Sequence, residues 1–326
     1  MLPKIAIVAA TGTINAVGRD RLDLAAYQEV GTRIDPAELI ARIPEARAVA
    51  RLDLIPGAGF EGPSASLDDL VSFTRLINSA AQRRSVSGVV VSKGTNSLEE
   101  FAYAAHLSIH SSKPIVFVGA MRPASAVSAD GDLNLLRAIQ VAANSGARGH
   151  GVLILLNDTI LSARDATKGA TYRLHAFTGR DLGPLGFADA DGQIAFSHRQ
   201  LRRHTDRSLF DIDLMATMPR VDIVVSYLGA DGALIEAAAK AGARGLVAAG
   251  MGAGFPTGAE MGALRRARDH GITVCIASRV GSGRVVARPA LVKDGFIVAD
   301  NLVPWKARIL LAFALAAGLT RPQIEH

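Results

Sequence analysis

Short apolar runs alternate with helical patterns along most of this chain, and this alternation limits the possible folds more than any other feature. The runs Gly88–Ser92 and Val152–Leu156 contain no charged residue. Strands that helices cover on both faces have such unbroken runs. Between the runs, residues 66–79 place apolar side chains at helical spacing, and Ser66 and Asp69 match a capping box at its start. The alternation therefore predicts an α/β fold.

The alternation is interrupted between residues 183 and 219, where glycine, proline and aspartate turn signals surround a basic cluster. This interruption predicts a boundary between two domains, a number that suits a chain of 326 residues. We expect a larger N-terminal parallel-sheet domain over residues 1–195, a linker over 196–218, and a smaller C-terminal α/β domain over 219–326.

Charge and hydropathy bear on the partners of the protein. The apolar stretches are much shorter than the ~18–20 residues that cross a bilayer, and the chain opens with Lys4 and a short strand rather than an export signal. We therefore expect a cytoplasmic protein with no membrane partner. The net charge is +6, which keeps nucleic-acid binding as an alternative. We expect no nucleic-acid partner, because no aromatic residue is interleaved in the densest basic cluster, which comprises Arg199, Arg202, Arg203, His204 and Arg207.

The single cysteine, Cys275, lies within the apolar run of residues 272–276. One cysteine excludes an intrachain disulfide. Apolar surroundings raise the pKa of a thiol and make it a poor nucleophile. We therefore expect Cys275 to be a buried structural residue.

Polar residues that directly follow the apolar runs are the candidates for a ligand site, because open parallel sheets bind ligands beyond the carboxyl ends of their strands. Two such turns present a threonine beside a glycine, at Thr13 and Thr95. A hydroxyl group there is a nucleophile when a base removes its proton, and Lys168 is a candidate base. The alternative is that both threonines only cap helices and that Lys168 is a solvated surface lysine.

Taken together and in this order, the turn segments resemble the bacterial type L-asparaginase/glutaminase family. Residues 9–14 are similar to its signature A-T-G-G-T-I, and residues 93–100 are similar to H-G-T-D-T-x-E-E. Further segments resemble the family nearly letter for letter: residues 118–123, 128–131, 134–135, 157–159, 164–165, 167–168, 278–280 and 306–308. The resemblance extends over nearly the whole chain and implies the two-domain asparaginase-like fold.

The resemblance also implies an amidohydrolase that needs no metal or cofactor. Thr13 matches the nucleophile that forms an acyl-enzyme, and Thr95 matches the second active-site threonine, whose proton Lys168 helps to move. Tyr27 corresponds to the tyrosine of a lid over the nucleophile. Ala120 matches a position whose backbone holds the scissile amide next to an oxyanion site. The family further implies a homotetramer of close dimers, in which a neighbour's C-terminal domain completes each site.

Departures from the family pattern fall in the subsite for the amino-acid head of the substrate. The family has acidic and amide residues there. At these positions this chain has Asn96, Gly62 and Pro63 (followed by Ser64), Phe255 and Arg288. These residues lack the negative charges that hold an α-ammonium group. We therefore expect hydrolysis of a small carboxamide that is not strictly L-asparagine. Two alternatives remain: a genuine L-asparaginase with a rebuilt ammonium site, and a catalytically impaired asparaginase-like binding protein.

A glycine-rich segment over residues 250–254 has features of a dinucleotide-binding fingerprint. However, Phe255 stands where the third glycine belongs, and the next strand ends in Ser278 and Arg279 instead of an acidic residue. We therefore expect no dinucleotide cofactor and interpret the glycines as a tight turn at a subunit boundary.

Overall fold

The computed structural model describes residues 1–57 and 64–325. The chain divides into two compact units, residues 1–209 and residues 210–326. This division falls within the segment predicted as a linker, which contains the short 3-10 helices Thr205–Arg207 and Ile212–Thr217. The finer boundaries at residues 195 and 219 stay a prediction.

The first unit is built on a mixed sheet. Its strands are β1 (Lys4–Ala9), β2 (Arg51–Pro56), β3 (Gly88–Ser92), β4 (Ile115–Val118), β5 (Val152–Leu156), β6 (Thr159–Ser162), β7 (Thr167–Lys168), β8 (Phe177–Thr178), β9 (Gly186–Ala188) and β10 (Ile194–Phe196). In the described part of the chain, eight of these strands form one sheet in the order β10-β9-β6-β5-β4-β3-β1-β2. Strands β2, β1, β3, β4 and β5 are parallel, and β6, β9 and β10 are antiparallel. Strands β7 and β8 form a separate ladder.

The helices of this unit follow the predicted alternation. They are α1 (Tyr27–Val30), α2 (Pro36–Ala41), α3 (Ala46–Val49), α4 (Leu67–Gln82), α5 (Leu98–Ser108) and α6 (Gly131–Ala143). Helix α4 starts with the predicted capping box: Asp69 donates its backbone N–H to the Ser66 hydroxyl, and its carboxylate accepts from the Ser66 N–H. Every residue of β3 is buried, as its unbroken apolar run predicts. Leu135 and Ile139 of α6 belong to the same buried core as Val90 and Val116 of the sheet.

The second unit has its own parallel sheet, in the order β11 (Val221–Val225), β12 (Gly245–Gly250), β13 (Thr273–Ser278) and β14 (Ile297–Val298). Its helices are α7 (Ala233–Lys240), α8 (Gly258–Asp269), α9 (Pro289–Lys293), α10 (Pro304–Ala316) and α11 (Arg321–Glu325). Cys275 is buried on β13, and burial raises the pKa of its thiol to about 12. That environment agrees with the structural role expected for this cysteine.

The predicted fold class is confirmed: a larger N-terminal sheet unit is followed by a smaller C-terminal α/β unit. The structure adds an antiparallel edge to the N-terminal sheet, which the alternation did not predict. None of the helices in the described part of the chain combines the length and hydropathy that crossing a bilayer requires.

Candidate active site

The two threonine turns lie side by side because their strands are neighbours in the sheet. Strands β1 and β3 pair in parallel, with Ala9 opposite Ser92. The segments that follow the two strands therefore leave the sheet at the same edge. Just beyond that edge, the N–H of Gly94 donates to the carbonyl of Thr11 at 3.1 Å. This register brings the turns that carry Thr13 and Thr95 together.

Glycine at positions 12 and 119 allows close packing of the turns that follow β1, β3 and β4. A Cβ atom at Gly12 would lie 2.5 Å from the backbone nitrogen of Gly94, and a Cβ atom at Gly119 would lie 2.9 Å from a side-chain carbon of Thr95. Because real Cβ atoms do not approach other heavy atoms so closely, any side chain there would push the turns apart. The glycines therefore hold the two threonines at one site.

A cavity of about 750 Å³ opens beside these turns. It is lined by Thr13, Ala25, Tyr27, Gln28, Thr95, Asn96, Met121, Lys168, Gly169, Ala170, Thr171 and Tyr172. The structure thus brings together all of the predicted catalytic residues and one predicted substrate-binding residue, Asn96. Among the described lining residues there is no carboxylate, and Lys168 is the one with a formal charge. The wall of the cavity is therefore neutral to positive.

Thr13 is the first residue of a 3-10 helix over Thr13–Asn15 and is only 7% exposed. Its Oγ1 atom lies 2.8 Å from the hydroxyl oxygen of Tyr27, a hydrogen-bond distance. Gly12 donates its N–H to the side-chain oxygen of Asn15 and occupies the N-cap position. The N-cap of α5 is Ser97. The alternative that Thr13 and Thr95 only cap helices is therefore wrong.

Lys168 reaches Thr95 across 73 residues of sequence: its Nζ donates to Oγ1 of Thr95 at 2.8 Å. The backbone N–H of Lys168 donates to the carboxylate of Glu99 at 2.9 Å, and the Thr167 hydroxyl donates to the same oxygen at 3.3 Å. Burial lowers the pKa of Lys168, while the charge of Glu99 acts in the opposite direction. Lys168 is therefore a fixed amine and not a solvated surface lysine.

This arrangement is suited to proton transfer at a hydroxyl group. A lysine amine becomes a better general base near neutral pH when its pKa is lowered toward the working pH. The Lys168 amine already lies within hydrogen-bond distance of a hydroxyl oxygen, which is the geometry that a base requires. Glu99 is buried behind Thr95 and Lys168. It fixes the Lys168 backbone by accepting its N–H, and its charge raises the pKa of the Lys168 amine.

The turn after β4 is fixed by two residues whose individual roles the sequence did not indicate. The carboxylate of Asp130 accepts the backbone N–H groups of Met121 and Arg122 at 3.0 and 2.9 Å. Asn134 donates its side-chain N–H to the carbonyl of Gly119 at 3.1 Å. The sequence could have indicated this pair, because an acid and an amide four residues apart at the start of α6 lie on one face of the helix.

The predicted substrate-binding residues are only partly brought to this cavity. Ala120 is 0% exposed and is not among the described lining residues, which include its neighbour Met121. Ser64 is exposed and is not among the described lining residues. Gly62 and Pro63 lie outside the described residues. The binding roles of these four residues stay predictions.

Phe255 and Arg288 form a pair within the second unit. The guanidinium carbon of Arg288 lies 3.7 Å from the centroid of the Phe255 ring, which is itself 53% exposed. Arg288 also donates to the carbonyls of Ala253 and Gly254, at 3.0 Å in each case. The glycines of residues 250–254 make a tight turn, in which Gly252 has φ 51° and Gly254 has φ 82°. Turn formation thus accounts for these glycines.

Two family models together match most of the chain. The asparaginase N-terminal domain matches residues 4–202, and the glutaminase/asparaginase C-terminal domain matches residues 220–326. The chain belongs to the asparaginase family. Its family relatives are amidohydrolases that cleave C–N bonds of non-peptide amides, and this chain is an amidohydrolase of that kind.

Individual asparaginase-family proteins match nearly the whole chain. A glutaminase-asparaginase from Pseudomonas aeruginosa is 36% identical over 100% of this chain and 90% of its own length. The L-asparaginase 2 of Bacillus subtilis is 35% identical over 96% of this chain and 83% of its own length. A crystal structure described as a probable cytoplasmic L-asparaginase from Campylobacter jejuni has a TM-score of 0.90 at 33% identity, covering 99% of this chain and 98% of its own.

Proposed function

We propose that this asparaginase-family protein hydrolyses a small carboxamide through an acyl-enzyme on Thr13, with Thr95 and Lys168 moving the proton. One observation carries the proposal: the Thr13 hydroxyl and the hydrogen-bonded pair of Thr95 and Lys168 line the same cavity. A nucleophile and a base within reach of one bound substrate are the parts that covalent amide hydrolysis requires.

The reaction proceeds in two steps. The Thr13 hydroxyl oxygen attacks the amide carbon, the C–N bond breaks, and the departing nitrogen takes up a proton. It leaves as ammonia from a primary amide and as an amine from a lactam or an N-substituted amide. Water then attacks the resulting ester, releasing the carboxylic acid and restoring the hydroxyl of Thr13. In both steps a proton moves from the attacking oxygen, and the Lys168 amine accepts it through Thr95. Tyr27 orients Thr13 Oγ1 through their 2.8 Å contact.

We further propose that the substrate lacks an α-amino group. The described cavity wall offers no carboxylate to an α-ammonium group, and Asn96 presents a neutral amide. Glu99, the buried carboxylate behind Lys168, already accepts the N–H of that residue. An ammonium group that loses water without gaining a negative partner binds poorly. A dicarboxylic acid monoamide, a lactam or an N-substituted amide avoids this cost.

The assembly and location of the protein are also proposals. Membership in the asparaginase family supports a homotetramer of close dimers, in which a neighbour's Phe255 and Arg288 would add an apolar face and a positive charge to the substrate site. A stable, active monomer in solution would contradict that assembly. A cytoplasmic location is supported by the likeness to the Campylobacter jejuni protein, which is described as probable cytoplasmic.

Hydrolysis of a panel of amides tests the proposed function. Ammonia release measures it for the primary carboxamides, and mass spectrometry of the products measures it for the lactam and the N-substituted amide, whose cleavage frees no ammonia. The panel contains L-asparagine, L-glutamine, succinamic acid, a lactam and an N-substituted amide. Turnover of at least one compound is expected, with the amides that lack an α-amino group preferred. If no compound is hydrolysed but one binds in calorimetry, the protein is instead the catalytically impaired binding protein that Asn96 also suggests.

Replacing Lys168 with methionine is expected to lower kcat by about 10²–10⁴-fold, the usual contribution of a general base. Methionine keeps much of the length of lysine but cannot accept a proton from Thr95. The measurement is ammonia release at saturating substrate. Thr13 and the cavity remain in place in this variant, so a kcat equal to that of the wild type would show that Lys168 is not the base.

The pH profile distinguishes a base from a structural lysine. The neutral amine is the active form, so kcat should rise with pH through the pKa of Lys168, which burial lowers and Glu99 raises. Replacing Glu99 with glutamine removes the raising charge but keeps an oxygen for the backbone N–H of Lys168. That rise should therefore shift to lower pH. An unchanged profile would mean that another group controls the rate.

A further inference from the structure

A second lysine lies behind the active site and takes no part in the mechanism above. Lys93 follows β3 directly, and its side chain is 1% exposed. Its Nζ donates to Oγ of Ser97 at 2.8 Å and lies 4.0 Å from the centroid of the Phe101 ring. Lys93 is not among the described residues that line the cavity. Its contacts are therefore with the protein and not with substrate.

The charge on this lysine is costly and needs an explanation. Burial lowers the pKa of Lys93 to about 8, with the charge of Glu100 acting in the opposite direction. A pKa near 8 still leaves most of the group protonated at neutral pH. A hydrocarbon side chain of similar length would fill the same space without losing hydration energy. The ammonium must therefore supply something that a hydrocarbon cannot, and the hydrogen bond to Ser97 is such a contact.

This bond joins the two ends of a turn that carries site residues. Residues 93–97 connect β3 to α5, and Thr95 and Asn96 in the middle both line the cavity. Backbone bonds hold the start of the turn: Lys93 donates to the carbonyl of Val118 at 3.0 Å, and Gly94 donates to Thr11 at 3.1 Å. At the far end, Ser97 is the N-cap residue of α5, and its hydroxyl accepts the bond from Lys93.

We propose that Lys93 is a positioning residue: its ammonium closes the turn 93–97 through Ser97 and so holds the Thr95 hydroxyl against Lys168. This inference rests on the proposed function, because it assigns a kinetic role to the geometry of Thr95. The aromatic face of Phe101 also stabilises the ammonium by a cation–π contact. When the bond is lost, the turn relaxes and Thr95 moves away from the amine that takes its proton.

The test replaces each partner of the bond. Lys93→Met and Ser97→Ala are each expected to lower kcat by about 10²-fold, the size of effect that a displaced catalytic group produces. Ser97→Thr keeps the hydroxyl and should restore most of the rate. The double variant Lys93→Met with Ser97→Ala should lose no more than Lys93→Met alone, because both changes remove one interaction.

Lys113 provides the matched control. It is a partly buried lysine whose Nζ donates to the carbonyls of Ala81 and Arg83, away from the cavity. Lys113→Met should lower the thermal stability and leave kcat unchanged. If Lys93→Met does not fold, Ser97→Ala still decides the question, because Ser97 is partly exposed. A folded Lys93→Met or Ser97→Ala protein with wild-type kcat would overturn the proposal.

Hydrogen exchange separates this proposal from the proposed function. The backbone amides of residues 94–97 should exchange faster in Ser97→Ala than in the wild type and return to the wild-type rate in Ser97→Thr. If the wild-type protein hydrolyses no amide, the proposed function fails while the exchange data still report on the turn. Equal exchange rates in all three proteins would show that Lys93 does not hold the turn.

Discussion

Replacing Thr13 with alanine is expected to lower ammonia release by at least about 10⁴-fold, because loss of the nucleophile from a catalytic unit has effects up to about 10⁶-fold. The substitution removes the atom that would form the ester and leaves the second threonine and its lysine in place. The residual rate should therefore reflect binding and polarisation of the amide alone. Steady-state ammonia release and intact-protein mass spectrometry measure the rate and the acyl adduct.

The control for this variant is a second buried threonine. Thr74 on α4 donates its hydroxyl to the carbonyl of Leu70 at 2.7 Å and lies outside the described cavity wall. Thr74→Ala removes the same atoms from a buried site and should keep full activity at some loss of stability. Full amidase activity in Thr13→Ala, with Thr74→Ala also active, would remove Thr13 from the nucleophile's role.

Succinamic acid is expected to be a better substrate than L-asparagine by about 10²–10³-fold in kcat/KM. The two molecules differ only in the α-amino group. Leaving that ammonium unpaired in a desolvated site costs about 3–5 kcal/mol, and each ~1.4 kcal/mol is a factor of ten in selectivity. The described cavity wall, with no carboxylate and with Lys168 as its charged residue, is the structural reason for this preference.

Asn96→Asp is the matched variant for the specificity prediction. Asn96 lines the cavity, and an aspartate there would supply a carboxylate of nearly the same shape. The ratio of the two kcat/KM values should move toward L-asparagine by about tenfold or more, as expected for a new charge-assisted bond. If the wild-type protein strongly prefers L-asparagine, other residues rebuild the ammonium site and this interpretation of the pocket is wrong.

The central strands and long helices could be predicted from sequence because local patterns determine them. Strands Gly88–Ser92 and Val152–Leu156 have the predicted bounds, since short continuous apolar runs are typical of strands that helices cover on both faces. Helix α4 starts after its predicted cap at Ser66. Edge strand β2 was not predicted because Arg51 and Asp53 give it a polar pattern. Its pairing depends on tertiary contacts, including ion pairs from Lys4 and Arg83 to Asp53.

The candidate site divides in the same way. The sequence alone determined that Thr13 and Thr95 follow strands at turns with glycine, because strand and turn signals are local. The family resemblance pairs Lys168 with Thr95, and the tertiary structure gives their 2.8 Å contact. Only the tertiary structure decided that Met121 rather than Ala120 lines the cavity and that Lys93 is buried. Hydrogen bonds between residues far apart in sequence, and the burial of a charged side chain, depend on how separate elements pack. Local sequence patterns do not predict that packing.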